Sequence, residues 1–372
     1  MSFKFCPECG YKFDKEYKFC PECGYKLEQT ESKKEPLFSF SEDTEKYGNF
    51  DFGGFDNKIN DNNHNVENVN SDDLDRKKDK ADKLWDESKY KEAFPLCLEL
   101  AEKTGEAVYQ HRTGYCYNLG YGTKKDYNKA MEWYQKAAEQ GLPASQNNIG
   151  IMYFNGEGVR KDQKEAVSWF SKSAEQGYKL AQRNLGIQYY NGEGVSQDYK
   201  KAAYWFQEAA EQDDVVSQRR LAECYYYGDG VPQDYKKAFN LYKKAAENGD
   251  AKAQGKLGFC YYLGEGIFED PKKAEYWFMQ GAEQGDDVAQ CGLGMLYEAG
   301  ADGIEMDEKK SAYWYQEAAE RGNAMGQYEI GCCYYFGNGV PKDVKKGLYW
   351  LKEAAENGSD AAREFLEQLD EK

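Results

Sequence analysis

The chain has 372 residues, 66 of them acidic and 49 basic, with a formal net charge of -17 and a pI near 4.8. A chain this acidic is not expected to bind nucleic acid or anionic membranes through its whole surface. No apolar run approaches the roughly 18 residues of a membrane span, and the start MSFKFCPECG has no apolar signal-peptide core, so we expect a cytoplasmic protein without a membrane span.

Two copies of the motif FCPECG lie in residues 1–27, and they contain Cys6, Cys9, Cys20 and Cys23. Four thiolates in two CxxC pairs suit the tetrahedral coordination of zinc. Because so short a segment cannot bury a useful apolar core, a metal ion would have to hold its fold. The segment resembles the short zinc-ribbon module found at the start of many bacterial proteins. The sequence therefore predicts one structural Zn²⁺ on these four cysteines.

Two other interpretations of the cysteine pairs stay open. A CxxC redox dithiol would need a thioredoxin-like βαβ context, which the surrounding sequence does not provide. An oxidised disulfide module would require that the chain be exported. A closed set of four cysteines also lacks the open coordination position of catalytic zinc.

Residues 28–73 form the next segment, in which Asp, Glu, Asn and Ser dominate without helical or alternating periodicity. This composition predicts a disordered acidic linker. Aromatic residues such as Phe38, Phe50, Phe52 and Phe55 stand among the acids. They favour either a plain tether or a docking motif for a protein surface.

Residues 74–104 predict a helix pair in which Leu84, Trp85, Phe94 and Leu98 have helical spacing. Terminal units of repeat proteins are atypical because one of their faces meets solvent, so we interpret this pair as an amino-terminal cap. Residues 359–372 predict a single polar helix that closes the other end.

Residues 105–358 repeat a pattern seven times, and Ala181–Asp213 contains its clearest copy. Each copy predicts two antiparallel helices: Gly192 and Gly194 end the first with positive φ, and Asp198 caps the second. One aromatic column, which we expect to be buried against the neighbouring unit, recurs every 36 residues with a single step of 37: Trp133, Trp169, Trp205, Leu241, Trp277, Trp314 and Trp350.

A glycine column in the first helix contains Gly114, Gly150, Gly186, Gly258, Gly294 and Gly331, with Ala222 in the remaining unit. Glycine inside a helix costs about 0.5–1 kcal/mol relative to alanine, so its recurrence indicates a close approach, which we expect to be against the alanines of the second helix. At these residues the chain resembles the Sel-one-like repeat family, which is related to the tetratricopeptide proteins. The resemblance implies an all-α, right-handed α-solenoid of helix-turn-helix repeats that binds other proteins.

Cys116, Cys224, Cys260 and Cys333 share one column with Met152, Gln188 and Leu296, which predicts core positions with unbridged thiols. The chain contains two histidines, His64 and His111, from which no Ser–His–acid or Cys–His set can be built. The G-x-G pairs recur in nearly every unit, so they indicate turns rather than a dinucleotide loop. We therefore expect a protein that is not an enzyme.

Two adjacent positions of the first helix vary between units, and in the middle units they contain Arg183, Arg219, Arg220 and Lys256. These residues predict a basic row that could bind an acidic protein or peptide, including the chain's own linker. In the alternative interpretation they are solvated and pair with carboxylates of the adjacent helix. The predicted function is a scaffold or adaptor for protein partners. The alternative is a nucleic-acid-associated regulator that acts through the zinc ribbon.

Overall fold

The computed structural model describes residues 71–370, and all regular secondary structure in that range is helical. Of these residues, 71–217 belong to one compact unit and 218–370 to another, called here the first and the second unit. The first eight helices are α1 (Ser71–Asp86), α2 (Tyr90–Thr104), α3 (Ala107–Leu119), α4 (Tyr127–Glu139), α5 (Pro143–Asn155), α6 (Gln163–Ala174), α7 (Lys179–Asn191) and α8 (Tyr199–Ala210). The others are α9 (Val215–Tyr227), α10 (Tyr235–Glu247), α11 (Ala251–Leu263), α12 (Pro271–Glu283), α13 (Asp287–Ala299), α14 (Glu308–Glu320), α15 (Ala324–Phe336), α16 (Val344–Glu356) and α17 (Asp360–Asp370).

From α3 to α16 the helices alternate as the first and second helix of seven repeats, which confirms the predicted all-α fold of helix-turn-helix repeats. The helices α1 and α2 occupy the segment predicted as the amino-terminal cap. Because α1 begins at Ser71, residues 71–73, predicted as the end of the linker, form its first turn instead. The predicted zinc ribbon and the rest of the linker lie outside the described residues.

The turn between the two helices of a repeat has the local chemistry that the sequence predicts. Gly192 follows α7 with φ of 74°, and its N–H donates to the carbonyl of Gln188. The carboxylate of Asp198 accepts from the N–H of Lys201 at 3.1 Å, which caps α8. Gly194 has φ of 73° and lies against the preceding second helix, where a Cβ would come 2.3 Å from the Gln163 carbonyl oxygen. Only glycine fits this contact.

The glycine column makes room for an aromatic ring, which the sequence did not predict. A Cβ on Gly186 would come within 2.7 Å of two ring carbons of Phe206 in α8. The alanine column is a second neighbour, since a Cβ on Gly150 would lie 2.6 Å from the Phe170 ring and 3.2 Å from the Ala166 carbonyl oxygen. Equivalent ring contacts join Gly114 to Tyr134, Gly258 to Phe278 and Gly294 to Tyr315, whereas Gly331 contacts the aliphatic side chain of Leu351.

The buried aromatic column is therefore one residue further along the second helix than the predicted tryptophan column. Phe206 is buried, whereas Trp205 is half-buried and packs at the edge of a core cluster that contains Phe170 and Leu185. Trp314 is an exception and is fully buried. The expectation of a buried tryptophan column is wrong for the other units, because the helix turns by about 100° per residue and only one of two adjacent positions can face the glycine.

The first and last helices of the described chain pack against the neighbouring repeats. In α1 and α2, Ala81, Ala93 and Leu100 are buried in a cluster with Tyr109 of α3. At the other end, Ala362 of α17 is buried and the ring of Phe365 lies 5.4 Å from that of Tyr335. None of the helices between residues 71 and 370 combines the length and the apolar character needed to cross a membrane.

We predict that Phe206→Ala lowers the free energy of unfolding by about 3–5 kcal/mol, because it removes a fully buried ring from its contact with Gly186. Trp205→Ala should cost less, about 1–2 kcal/mol, since part of that ring already faces solvent. Urea unfolding followed by circular dichroism measures both changes. A larger loss for Trp205→Ala would contradict this assignment of the core.

Candidate functional site

The variable positions of the first helices contact the cap of the next first helix. In the first unit, Arg183 of α7 donates from Nη1 to Asp214 Oδ2 at 3.0 Å. Asp214 also accepts from the N–H of Ser217 at 2.8 Å, at the start of α9. The Arg183 and Asp214 side chains are 11% and 6% exposed, so this ion pair is part of the helix packing.

The same contact recurs in the second unit, where Arg219 of α9 donates from Nε to Asp250 Oδ2 at 3.2 Å. Asp250 caps α11 by accepting from the N–H of Ala253 at 2.7 Å. Arg219 also pairs with Glu223 at 3.2 Å, and its side chain is 3% exposed. Removing such an arginine would leave a buried carboxylate without its partner, which is strongly destabilising.

In the next repeat a glycine takes the place of this arginine, but the aspartate that would pair with it is present. Asp286 caps α13 through the N–H of Ala289 at 2.7 Å, but the residue that corresponds to Arg219 is Gly255. A Cβ on Gly255 would lie 2.5 Å from Asp286 Oδ1, so the carboxylate fills the space that a side chain would need. Burial, with a smaller contribution from the charge of Asp287, raises the pKa of Asp286 to about 7 against the opposing effects of the Ala289 N–H and Lys252.

The four residues of the predicted basic row thus have different surroundings. Arg183 and Arg219 form ion pairs, but they are buried, whereas the alternative interpretation expected solvated side chains. Arg220 pairs with Glu223 of its own helix at 3.1 Å, with a side chain that is 27% exposed. Lys256 of α11 is half-buried, and its ammonium has no ion pair or hydrogen bond within residues 71–370. A role of the row in partner binding stays a prediction, and Lys256 is its accessible cation.

A cavity of about 220 Å³ lies beside Lys256, within the second unit. It is lined by Tyr226 of α9, Tyr242 of α10, and Lys256, Phe259 and Leu263 of α11. Tyr242 is 1% exposed, and its hydroxyl has no hydrogen-bond partner in the described part of the chain. On one side, the Tyr226 hydroxyl donates to Glu265 at 2.6 Å. The cavity therefore combines an apolar wall with two polar groups available for hydrogen bonding.

Apolar side chains are also exposed at the same position of three first helices, and one of them, Leu263, lines this cavity. Tyr227, Leu263 and Phe336 are 56%, 49% and 54% exposed, and each is the last residue of a first helix, α9, α11 or α15. We call these three residues the exposed row. Single exposed apolar residues are ordinary on protein surfaces. Tyr204, Tyr276 and Tyr349 also recur at one repeat position with similar exposure, but the exposed row differs from them because its member Leu263 lines the cavity.

His111 lies within hydrogen-bond distance of a serine that is far from it in sequence, a pair the sequence analysis did not find. Its Nδ1 is 2.8 Å from Ser145 Oγ, and both residues are buried. Burial, together with the charge of Arg112, lowers the pKa of His111 to about 3, so the ring is neutral. The pair joins α3 to α5. Because a substrate cannot reach the buried hydroxyl, the serine offers no nucleophile.

The cysteines of the repeats are likewise placed for packing. Cys116, Cys224, Cys260 and Cys333 are buried, as their column predicted. Burial raises the pKa of Cys224 and of Cys260 to about 12. Their thiols therefore stay protonated at neutral pH and are poor nucleophiles. Cys6, Cys9, Cys20 and Cys23, the predicted zinc ligands, lie outside the described residues.

Comparison with known protein families accounts for the repeats. The model of the Sel1 repeat matches seven consecutive ranges, 107–142, 143–178, 179–214, 215–250, 251–286, 287–323 and 324–359. The chain belongs to the Sel1 repeat family. A zinc-ribbon domain model matches residues 5–27. Both results agree with the resemblances seen in the sequence.

Solved Sel1 repeat structures resemble this chain over most of its length. A Sel1 repeat protein from Oxalobacter formigenes is 30% identical, and the match covers 80% of this chain and 91% of that one with a TM-score of 0.59. The protective antigen c5321 of uropathogenic Escherichia coli, which has an SLR fold, is also 30% identical, with coverage of 79% and 81% and a TM-score of 0.41. No curated protein matches the chain.

Asp286, which has no ion pair within residues 71–370, predicts an unusual pH dependence. Its carboxyl has a higher pKa in the folded chain, about 7, than its ordinary value of 3.8, so the folded state holds the proton more tightly. This group therefore lowers stability as pH rises from about 4 to 7, the reverse of a salt-bridged aspartate. Asp286→Asn, which keeps a capping side chain, should stabilise the chain at pH 8 by about 1–3 kcal/mol relative to its effect at pH 5.

Urea unfolding at the two pH values measures this difference. Asp250→Asn is the matched control, because Asp250 caps the preceding first helix but is paired with Arg219. The control substitution should destabilise the chain at pH 8. An effect of Asp286→Asn that is the same at pH 5 and pH 8 would contradict the shifted pKa.

Proposed function

We propose that this chain is a non-enzymatic scaffold or adaptor that binds protein partners through the first helices of its repeats. Sel1 repeat proteins are generally protein-interaction scaffolds, and this chain has seven such repeats. In the described residues, the His111–Ser145 pair is buried and the repeat thiols are held protonated, so the groups best suited to catalysis are used in packing.

The observation that carries the proposal is the exposed row of Tyr227, Leu263 and Phe336. Three apolar side chains of similar exposure at the same repeat position give a surface that water solvates poorly and that a partner could cover. Aromatic residues that are half exposed before binding are typical energetic anchors of protein interfaces. The Lys256 cavity adjoins the row through Leu263.

The proposal predicts that replacing the exposed row by serine abolishes partner binding without unfolding the chain. The full chain and its Tyr227→Ser/Leu263→Ser/Phe336→Ser variant would be used as bait in extracts of the native cell, with bound proteins quantified by mass spectrometry. Partners that bind the wild-type chain should be depleted at least about tenfold in the variant, since each lost anchor is worth about 1–2 kcal/mol.

The matched control is Tyr204→Ser/Tyr276→Ser/Tyr349→Ser. These tyrosines are 54%, 55% and 53% exposed, close to the exposed row, but lie on second helices just before the tryptophan column. Their replacement removes a similar exposed area and should leave the captured proteins unchanged. Equal loss of partners in both variants, or retention in both, would contradict binding through the exposed row.

We also propose that Cys6, Cys9, Cys20 and Cys23 hold one structural Zn²⁺. The two CxxC pairs and the match of a zinc-ribbon domain to residues 5–27 support this assignment. When bound, the metal would stabilise the fold of this short segment, and a closed thiolate set leaves it no position for a substrate.

Metal analysis of the full chain, purified under reducing conditions, should therefore give one zinc per chain. The Cys6→Ser/Cys20→Ser variant should lose the zinc and retain the helical circular dichroism, because residues 71–370 make their own core. A wild-type chain without zinc, or zinc that persists in the variant, would contradict the assignment. Cys116→Ser, a single buried thiol of the repeats, serves as the control that should keep the metal.

A further inference from the structure

The Lys256 cavity contains two hydrogen-bond donors without partners. The ammonium of Lys256 has no ion pair or hydrogen bond in residues 71–370, and the buried hydroxyl of Tyr242 has no partner there either. Burial raises the pKa of Tyr242 well above its ordinary value, so its hydroxyl keeps the proton and remains a donor. Buried polar groups are nearly always hydrogen-bonded, so the Tyr242 hydroxyl indicates an absent acceptor, and the half-buried Lys256 beside it can donate to the same acceptor.

The carboxylates of the chain that act on this cavity are already engaged. Glu223, whose charge is felt at Tyr242, accepts from Arg219 and Arg220 at 3.2 and 3.1 Å. Glu265 accepts from the Tyr226 hydroxyl at 2.6 Å. Neither is hydrogen-bonded to Lys256 or Tyr242, so these carboxylates of residues 71–370 do not supply the acceptor, and we look for it in a ligand.

The volume of the cavity limits what can enter it. At roughly 30 Å³ for each water-sized portion, 220 Å³ holds about seven non-hydrogen atoms. Cofactor and drug-sized sites are larger, about 300–1,000 Å³. One amino-acid side chain fits, and the apolar walls formed by Phe259 and Leu263 suit its methylene groups.

We propose that this cavity binds the carboxylate of a glutamate or aspartate side chain from a protein partner. One carboxylate accepts from both Lys256 Nζ and the Tyr242 hydroxyl, which satisfies both donors at once. Its methylenes pack on Phe259, and an apolar neighbour of the acid in the partner's chain covers the exposed side of Leu263. The proposal rests on the scaffold function, since it names the anchor that a partner inserts beside the exposed row.

The charge of the whole chain adds a constraint on that partner. A net charge of -17 repels a polyacidic ligand at low ionic strength. Recognition of a single carboxylate acts over a few ångströms, within the screening length of about 8–10 Å at physiological salt. The partner segment therefore carries one acid among neutral or basic residues.

The test uses the blocked pentapeptide acetyl-Ala-Leu-Glu-Leu-Ala-amide and the full chain labelled with ¹³C in its tyrosine rings. Peptide titration followed by NMR should shift the Tyr242 signal and give a saturable binding curve. The same peptide with Gln in place of Glu, and the Lys256→Met variant with the original peptide, should each bind at least about tenfold more weakly. No saturable binding of the Glu peptide, or equal binding of the Gln peptide, would overturn the proposal.

Two further variants separate binding from folding. Tyr242→Phe removes only the hydroxyl, so it should weaken the peptide several-fold while the midpoint of thermal unfolding stays the same or rises. A lower midpoint would show that the hydroxyl has a structural partner and would overturn its role. Lys236→Met removes an exposed lysine of α10 outside the cavity and should bind the peptide as the wild type does. If Lys236→Met weakened peptide binding equally, the loss would come from the change in net charge, and the proposed site would be overturned.

The source of the carboxylate is tested by the same titration. A variant in which a Gly-Ser linker of equal length replaces residues 28–70 should bind the peptide like the wild type. Binding that appears only in this variant would assign the cavity to the chain's own acidic segment and overturn an external partner. Native partners that are lost with the exposed row but retained by Lys256→Met would overturn the carboxylate site and leave the scaffold function standing.

Discussion

The contact between a glycine of the first helix and an aromatic ring of the second is the constraint on which five of the seven repeats depend, while Ala222 replaces the glycine in the fourth repeat and Leu351 replaces the ring in the last. Gly186 and Phe206 approach so closely that no side chain fits between them. The ring fills the space between two helices whose own apolar faces are narrow, and it lets them pack without a cavity. The cost of glycine in a helix is offset by this burial.

The position of the ring also determines which side chains on the other faces of the two helices are buried and which are exposed. With Phe206 turned toward Gly186, its neighbour Trp205 reaches the edge of the preceding core, and Tyr204 faces solvent. On the first helix, the positions away from the ring contact the next cap or remain exposed. Arg183 and Arg219 serve the first purpose, and Tyr227 and Leu263 are exposed at the helix ends. Packing thus decides which varied residues are available to a partner.

The features predicted correctly from the sequence are those set by local chemistry. Gly192 and Asp198 act within one turn of chain, so their roles as helix end and helix cap could be read from the residues alone. The buried ring could not, because Trp205 and Phe206 are adjacent and both aromatic, and periodicity does not distinguish a rotation of one residue. The ion pair of Arg183 with Asp214 joins residues 31 apart, and the Lys256 cavity joins three helices. Both depend on how neighbouring helices are aligned with one another, which the sequence of a single repeat does not specify.

The close contact of Gly194 with the Gln163 carbonyl limits how such a chain can change in length. The turn of one repeat touches the second helix of the repeat before it, so the spacing between neighbours is set by a contact that both copies carry. Duplicating a whole repeat reproduces that contact, whereas a few residues inserted into the turn destroy it. The protein can therefore gain or lose binding surface through the duplication or deletion of whole repeats, and each new repeat can acquire its own exposed side chains.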